Sequence, residues 1–220
     1  MRRLAVCLAA VVWLSGCAQH PTAAPPSPSG TEGPGKVNPG NIKRVRSDLP
    51  IGYEVADVTG PVSAAGLWGF GPGWNADPPQ CAALADPVPA GADARGLSAS
   101  GQGGTVYVVV AATPGVPAPE PGLIDQCSRW SMNFAHTTGE VTIVDAPRID
   151  GAATLAMSVE TRTVVESGTE TDAKVSTAVA YLDDHVAFVT LVTDPGSVHA
   201  PLNAEFVADL LAKTVTALRG

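Results

Sequence analysis

The stretch "KVSTAVAYLDDHVAFVTLVTD", Lys174 to Asp194, holds two apolar runs separated by a pair of aspartates. Val, Thr, Tyr and Phe favour a pleated, half-buried backbone. Two short polar residues between such runs are a turn signal. The stretch therefore predicts an antiparallel hairpin turning at Asp183-Asp184, and with it a sheet-based fold.

Upstream, "GYEVADV" (Gly52 to Val58), "TVYVVVAA" (Thr105 to Ala112), "EVTIVDA" (Glu140 to Ala146) and "ATLAMSVETRTV" (Ala153 to Val164) read as further strands. Strands that follow one another through short turns imply a largely antiparallel sheet. Helical periodicity occurs in three places. "QCAALAD" (Gln80 to Asp86) is a short helix. In "PGLIDQCSRWSMNFAH" (Pro121 to His136), the positions of Leu123, Ile124, Cys127, Trp130 and Phe134 predict a longer one. Downstream of the hairpin, Pro201 opens a closing helix with Phe206, Val207, Leu210, Leu211, Val215 and Leu218 on one side. "GLWGFGPGWNADPPQC" (Gly66 to Cys81) reads as a loop, because Gly and Pro punctuate it throughout. The expectation is an α+β fold, with a largely antiparallel sheet and amphipathic helices packed on one of its faces. Residues 42–220 form this single domain.

Ahead of it, Ala18 to Gly40 is rich in Pro, Ser, Gly and Ala. Such a segment has too few apolar side chains to fold, so residues 17–41 are expected to be a disordered tether. Its Ser and Thr residues beside prolines suit O-linked sugars. Residues 1–16 have the form of an export signal: Arg2 and Arg3, then an uncharged apolar run from Leu4 to Leu14. That run is short of the roughly 20 residues a membrane-spanning helix needs. It ends in Leu14-Ser15-Gly16-Cys17, which resembles a bacterial lipobox. The resemblance implies a thioether-linked diacylglycerol on Cys17, cleavage just before it, and palmitate-type acylation of the new amino group. More than one chain is needed because a single acyl chain binds membranes only marginally.

Of the four cysteines, Cys7 leaves with the signal and Cys17 carries lipid. Cys81 and Cys127 remain as an even pair in an oxidising compartment, where a disulfide is the default. No His lies at zinc-ligand spacing from either.

Residues "PPQCAALADP", "DQCSRW", the late strand pair and "AEFVADLLAKTVTAL" together resemble the extracellular sensor domain of PknH-type mycobacterial kinases and related actinobacterial lipoproteins. The resemblance implies an antiparallel sheet with helices and a cleft proposed for ligand binding. It also implies two disulfides, of which this chain can pair only Cys81 with Cys127. A PsbP-like lipoprotein fold is the neighbouring alternative.

Other chemistry is poorly supported. Gly66, Gly69, Gly71 and Gly73 lack the preceding strand and following helix of a phosphate-binding loop. "GLSAS" (Gly96 to Ser100) lacks the closing Gly of a nucleophile elbow and reads as part of a Gly/Ser loop. His136, His185 and His199 are scattered, and Asp183-Asp184 lacks the alternating carboxylates of a calcium loop. A formal net charge of −8 argues against nucleic acid as a partner. No enzymatic activity, cofactor or metal is expected.

The feature that invites a function is aromatic. Trp68, Phe70 and Trp74 crowd the Gly/Pro loop, and Trp130 follows Cys127 closely. If the cystine forms, Trp68, Trp74 and Trp130 gather around it and border an apolar or glycan-binding cleft. The competing reading is that they cover the cystine and cap the sheet. The functional expectation is a lipoprotein held on the outer face of the cell membrane by acylated Cys17, a non-enzymatic ligand-binding or sensing module of the cell envelope. Its ligand would be an envelope lipid, glycan or protein. The alternative is a lipid or glycolipid carrier.

Overall fold

The computed structural model describes residues 35–199 and 202–220. The expected signal, Cys17 and most of the tether lie outside them, as does Pro201.

Among these residues nine strands form one sheet: β1 (Glu54–Gly60), β2 (Asn75–Asp77), β3 (Ala94–Gly101), β4 (Gly104–Ala112), β5 (Arg129–Phe134), β6 (Thr137–Val144), β7 (Ala153–Val164), β8 (Glu170–Leu182) and β9 (His185–Thr193). Their spatial order is β1-β3-β4-β9-β8-β7-β6-β5-β2. Every neighbouring pair is antiparallel. β5 to β9 are a continuous meander, and β9 returns alongside β4 to join it to the β3–β4 hairpin. The β8–β9 turn falls where the sequence predicts it, with Leu182 opposite His185 and Asp183 at φ 47°. Asp tolerates this left-handed conformation better than most residues.

Among the described residues four helices accompany the sheet: α1 (Ala64–Leu67), α2 (Ala82–Ala85), α3 (Pro121–Gln126) and α4 (Ala204–Arg219). Two 3-10 segments, Pro39–Asp48 and Pro79–Cys81, complete the fold. α4 buries Val207, Leu210, Leu211, Val215 and Leu218, as their spacing predicts. Each such side chain contributes about 1.5–3 kcal/mol when fully buried. Its start is set by Asn203, whose side chain accepts a hydrogen bond from the Phe206 amide at 3.0 Å. Thr214 is buried too, and its hydroxyl donates to the Leu210 carbonyl at 2.7 Å, so no polar atom is stranded there.

The expectation of helices on one face is corrected. α4 and the Pro39–Asp48 segment pack on Leu97, Val106, Val108, Val110, Val189 and Leu191. The intervening residues Val109, Ala111, Val179, Val186 and Phe188 point the other way, into a second core with Trp68, Leu84 and the cysteines. β8 and β9 are thus covered on both sides. That is why "TAVAYL" and "VAFVTLV" read as nearly continuous apolar runs, a pattern that marks a strand buried on both faces.

Three local expectations also change. The helix expected over Pro121 to His136 stops at Gln126, and Arg129–Phe134 is β5. Trp130, Met132 and Phe134 match a period of two as well as the helical spacing matches its own members. Pairing with β6 on one side and β2 on the other decides between them. "GLSAS" belongs to β3 rather than to a loop. There Gly96 lets strands approach: a Cβ at that position would stand 2.2 Å from the Val108 carbonyl oxygen. The "loop" from Gly66 to Cys81 contains the end of α1, strand β2 and a 3-10 turn. The folded part also starts slightly before Ile42, since the Asn38 amide bonds to the Leu218 carbonyl at 2.8 Å.

Candidate functional site

Cys81 and Cys127 form a disulfide with an S–S distance of 2.01 Å. Cys81 ends the short 3-10 turn and Cys127 caps α3, so the bond ties two small helical elements together over the sheet. Both cysteines are fully buried in the core that contains Trp68 and Trp130.

A second tie lies beside it. Asp86, just after α2, reaches Ser63 and Ala64 at the start of α1. Its Oδ2 accepts from the Ser63 hydroxyl at 2.6 Å and its Oδ1 from the Ala64 amide at 3.0 Å. Ser63 Oγ in turn accepts from the Gly66 amide at 3.0 Å. A carboxylate here satisfies amide donors that the helix start leaves open. Burial raises the Asp86 pKa above the ordinary carboxylate value, and the bonds from Ser63 and Ala64 oppose that rise.

Between the loops 61–74 and 86–91 opens a cleft of about 770 Å³. Trp74, Phe70, Phe134, Pro72, Pro89 and Val88 supply apolar wall, and Asp86 and Ser63 supply its polar atoms. The Phe134 ring lies directly over Gly71, where a Cβ would stand 2.5 Å from ring carbons. Trp74 is half-buried and packs on the core from the cleft side. The composition is that of a small-molecule site, mostly apolar with a few convergent polar groups.

Of the three tryptophans expected to border a cleft, only Trp74 does so. Trp68 is 3% exposed and Trp130 2%. The Trp68 indole donates from Nε1 to Thr177 Oγ1 at 2.9 Å, and Thr177 pairs with Thr190 at 2.9 Å, which fastens α1 to the centre of the sheet. Trp130 faces inward from β5, and its Nε1 has no partner. The period-two geometry of that strand is the cause, since a helical Trp130 would have had a different direction. Trp68 and Trp130 therefore share a buried core with the cystine, and neither lines the cleft. Asp86, Ser63 and Phe134 are the cleft residues that motif reading misses. A Ser placed just before "AAG" and prolines at Pro87 and Pro89 were the available signals for a cap and a loop.

A trough of about 710 Å³ lies elsewhere, over β5 to β8. Its charges are mutually satisfied, with Arg162 2.9 Å from Asp172 and Lys174 3.4 Å from Glu160. These exposed pairs contribute little stability. Among the described residues no three His, Cys, Asp or Glu side chains are grouped as metal ligands. Nor is any helix among them long and apolar enough to cross a membrane.

The fold is similar to that of an uncharacterised protein from Mycobacterium smegmatis (Rv0999 ortholog) solved by X-ray methods. The TM-score is 0.65 at 22% sequence identity, over 84% of this chain and 98% of that one. No curated protein matches. Residues 38–219 match the family described as Domain of unknown function (DUF5642). The match runs from the Asn38–Leu218 tie through the cystine and cleft to the end of α4, and the chain belongs to the DUF5642 family.

Proposed function

We propose that this protein is a non-enzymatic ligand-binding or sensing module of the cell envelope, tethered to the outer face of the membrane by acylated Cys17. The observation that carries the binding half is the Trp74 cleft: an aromatic and proline-lined opening of about 770 Å³ with Asp86 and Ser63 as its polar atoms. Aromatic walls with few hydrogen-bonding groups suit an envelope lipid or glycan. The lipobox-like Leu14 to Cys17 and the export-like leader support the tethered half. The resemblance to PknH-type sensor domains supports sensing over carriage.

Titration of the folded protein with an envelope lipid or glycan extract tests the binding half, read by tryptophan emission. Among the described tryptophans, Trp68 and Trp130 are shielded, so Trp74 is the one that solvent reaches. A saturable shift that Trp74→Ala abolishes supports the reading, provided the thermal midpoint moves by only a few degrees. An emission unmoved by any fraction, with a large loss of stability in Trp74→Ala, overturns it. Native mass spectrometry of the purified chain separates sensor from carrier, because a carrier retains lipid through purification.

A further inference from the structure

Positive charge is unevenly placed along this chain. Residues 36–46 hold four Lys and Arg and no acid, whereas residues 47–220 hold twenty Asp and Glu against seven Lys and Arg. The Pro39–Asp48 segment sets how the four stand. Its buried residues Ile42 and Val45 follow the three-residue repeat of a 3-10 helix and fix it on the α4 core. Lys43, Arg44 and Arg46 are left on the outside, and all three are exposed, as is Lys36 just upstream. Their pairing differs from that of cations elsewhere. Arg129, Arg162, Lys174 and Lys213 each stand 2.9 to 3.6 Å from a carboxylate. In the patch Arg46 stands 3.4 Å from Asp57, while Lys36, Lys43 and Arg44 have no carboxylate partner among the described residues. Arg95 lines the same hollow as Lys43. Arg219, beside Gly35, gives its guanidinium to the carbonyls of Asp150 and Gly151. The facing carboxylates are Asp57 and Asp93 in that hollow and Asp48, which Lys213 meets at 3.8 Å. They leave the patch positive.

We propose that this patch docks the domain on the anionic phospholipid headgroups of the membrane that holds Cys17. The proposal rests on the tether reading: Lys36 stands nineteen residues after Cys17, so an anchor there keeps the patch within reach of the bilayer. An anionic surface attracts such a cluster by about fivefold in partition for each Lys or Arg near it. At about 0.1 M salt the screening length is about 10 Å. That is well under the roughly 40 Å width of a domain of this size. The bilayer therefore responds to the patch nearest it rather than to the net charge, and repulsion holds the acidic remainder away. The patch lies on the side of the sheet that α4 and the Pro39–Asp48 segment cover, whereas Phe70 and Trp74 belong to the core on the other side. Docking turns the Trp74 cleft away from the bilayer.

The probes are vesicles of equimolar phosphatidylglycerol and phosphatidylcholine, and vesicles of phosphatidylcholine alone. Residues 17–220 with Cys17→Ala contain the whole described fold and neither leader nor lipid, so the anchor contributes nothing. In cosedimentation at about 0.1 M salt this chain should bind the mixed vesicles about tenfold or more tighter than the neutral ones. Salt at about 1 M, where the screening length is about 3 Å, should release it. Lys36→Gln, Lys43→Gln and Arg44→Gln together should weaken binding about a hundredfold. Arg129→Gln, Arg162→Gln and Lys174→Gln together remove the same charge from β5, β7 and β8 and should change binding by less than about twofold. Inorganic phosphate at matched ionic strength should compete no better than chloride. Acrylamide should quench Trp74 equally in the free and the vesicle-bound chain. Equal binding to both vesicles, equal losses in the two triple variants, release by phosphate, or shielding of Trp74 on the vesicle overturns the proposal. So does absence of binding to the mixed vesicles. None of these outcomes bears on acylation of Cys17, which cell fractionation decides separately.

Discussion

Replacing both Cys81 and Cys127 by Ala isolates what the disulfide does. The bond closes a loop with a sequence separation of 46. In the chain-entropy treatment, a loop of that length removes enough freedom from the unfolded chain to stabilise the fold by roughly 4 kcal/mol. Both cysteines are fully buried in the core that also holds Trp68 and Trp130. Alanine therefore leaves small voids as well, adding about 1 kcal/mol for each methylene-sized gap. Cys→Ser is the poorer choice, because it would bury two hydroxyls that have no partner. The double variant should lose about 4–6 kcal/mol in urea unfolding. For a domain of this size that corresponds to roughly 8–24 °C in thermal midpoint. The native sheet should persist, since none of its ladders runs through either cysteine. Reduction of the wild type should give most of the same loss. A double variant within about 1 kcal/mol of wild type would refute the reasoning, and would mean that the unfolded chain already holds the two segments together.

Three further outcomes follow from other parts of the chain. Cys17→Ala should shift the protein from the membrane to the soluble fraction of fractionated cells; a processed mutant held as firmly as wild type would sink the anchor. Asp86→Asn tests burial of a carboxylate. Because the folded pKa is raised, the Asp86 contribution to stability is fully present below its unfolded pKa and is lost as pH rises through the folded one. The stability difference between wild type and Asp86→Asn should therefore move against wild type over that acidic window, as read by urea midpoints. A pH-independent difference would count against it. Gly96→Ala should destabilise the domain by about 2–4 kcal/mol, because the new methyl meets the Val108 carbonyl rather than a side chain that can turn away. A thermal melt unchanged from wild type would contradict the close approach of β3 and β4.

The sheet was legible because its strands carry their own signals. β7 begins and ends where its sequence does, and the Asp183-Asp184 turn sits between two unmistakable runs. β3 is not legible: "ARGLSASG" has no β-branched residue, and it becomes a strand because β1 and β4 offer it partners on both sides. β5 is hidden in the sequence because a Cys, a Trp and a Phe at helical spacing compete with an equally good alternation. Local sequence cannot arbitrate between periods when the deciding hydrogen bonds come from β2 and β6, distant in the chain or beyond the turn. The same limit applied to the site. Counting cysteines was sufficient to pair them, and the tryptophans belong to or pack against the core that holds the bond. Which of them meets solvent depended on strand direction, and Asp86 acquired its role only when folding brought Ser63 to it.

The Asn38–Leu218 bond has a mechanical consequence. Tension arriving along the backbone from upstream of Gly35 reaches the domain there, at the last turn of α4, and passes next into the Pro39–Asp48 segment. That segment grips α4 and the face of β3 and β4 that lies beneath it. The cystine and the Trp74 cleft stand on the opposite face, off the load path. A pull on the chain would peel the 3-10 segment first, and the cleft would keep its shape until the sheet itself gave way.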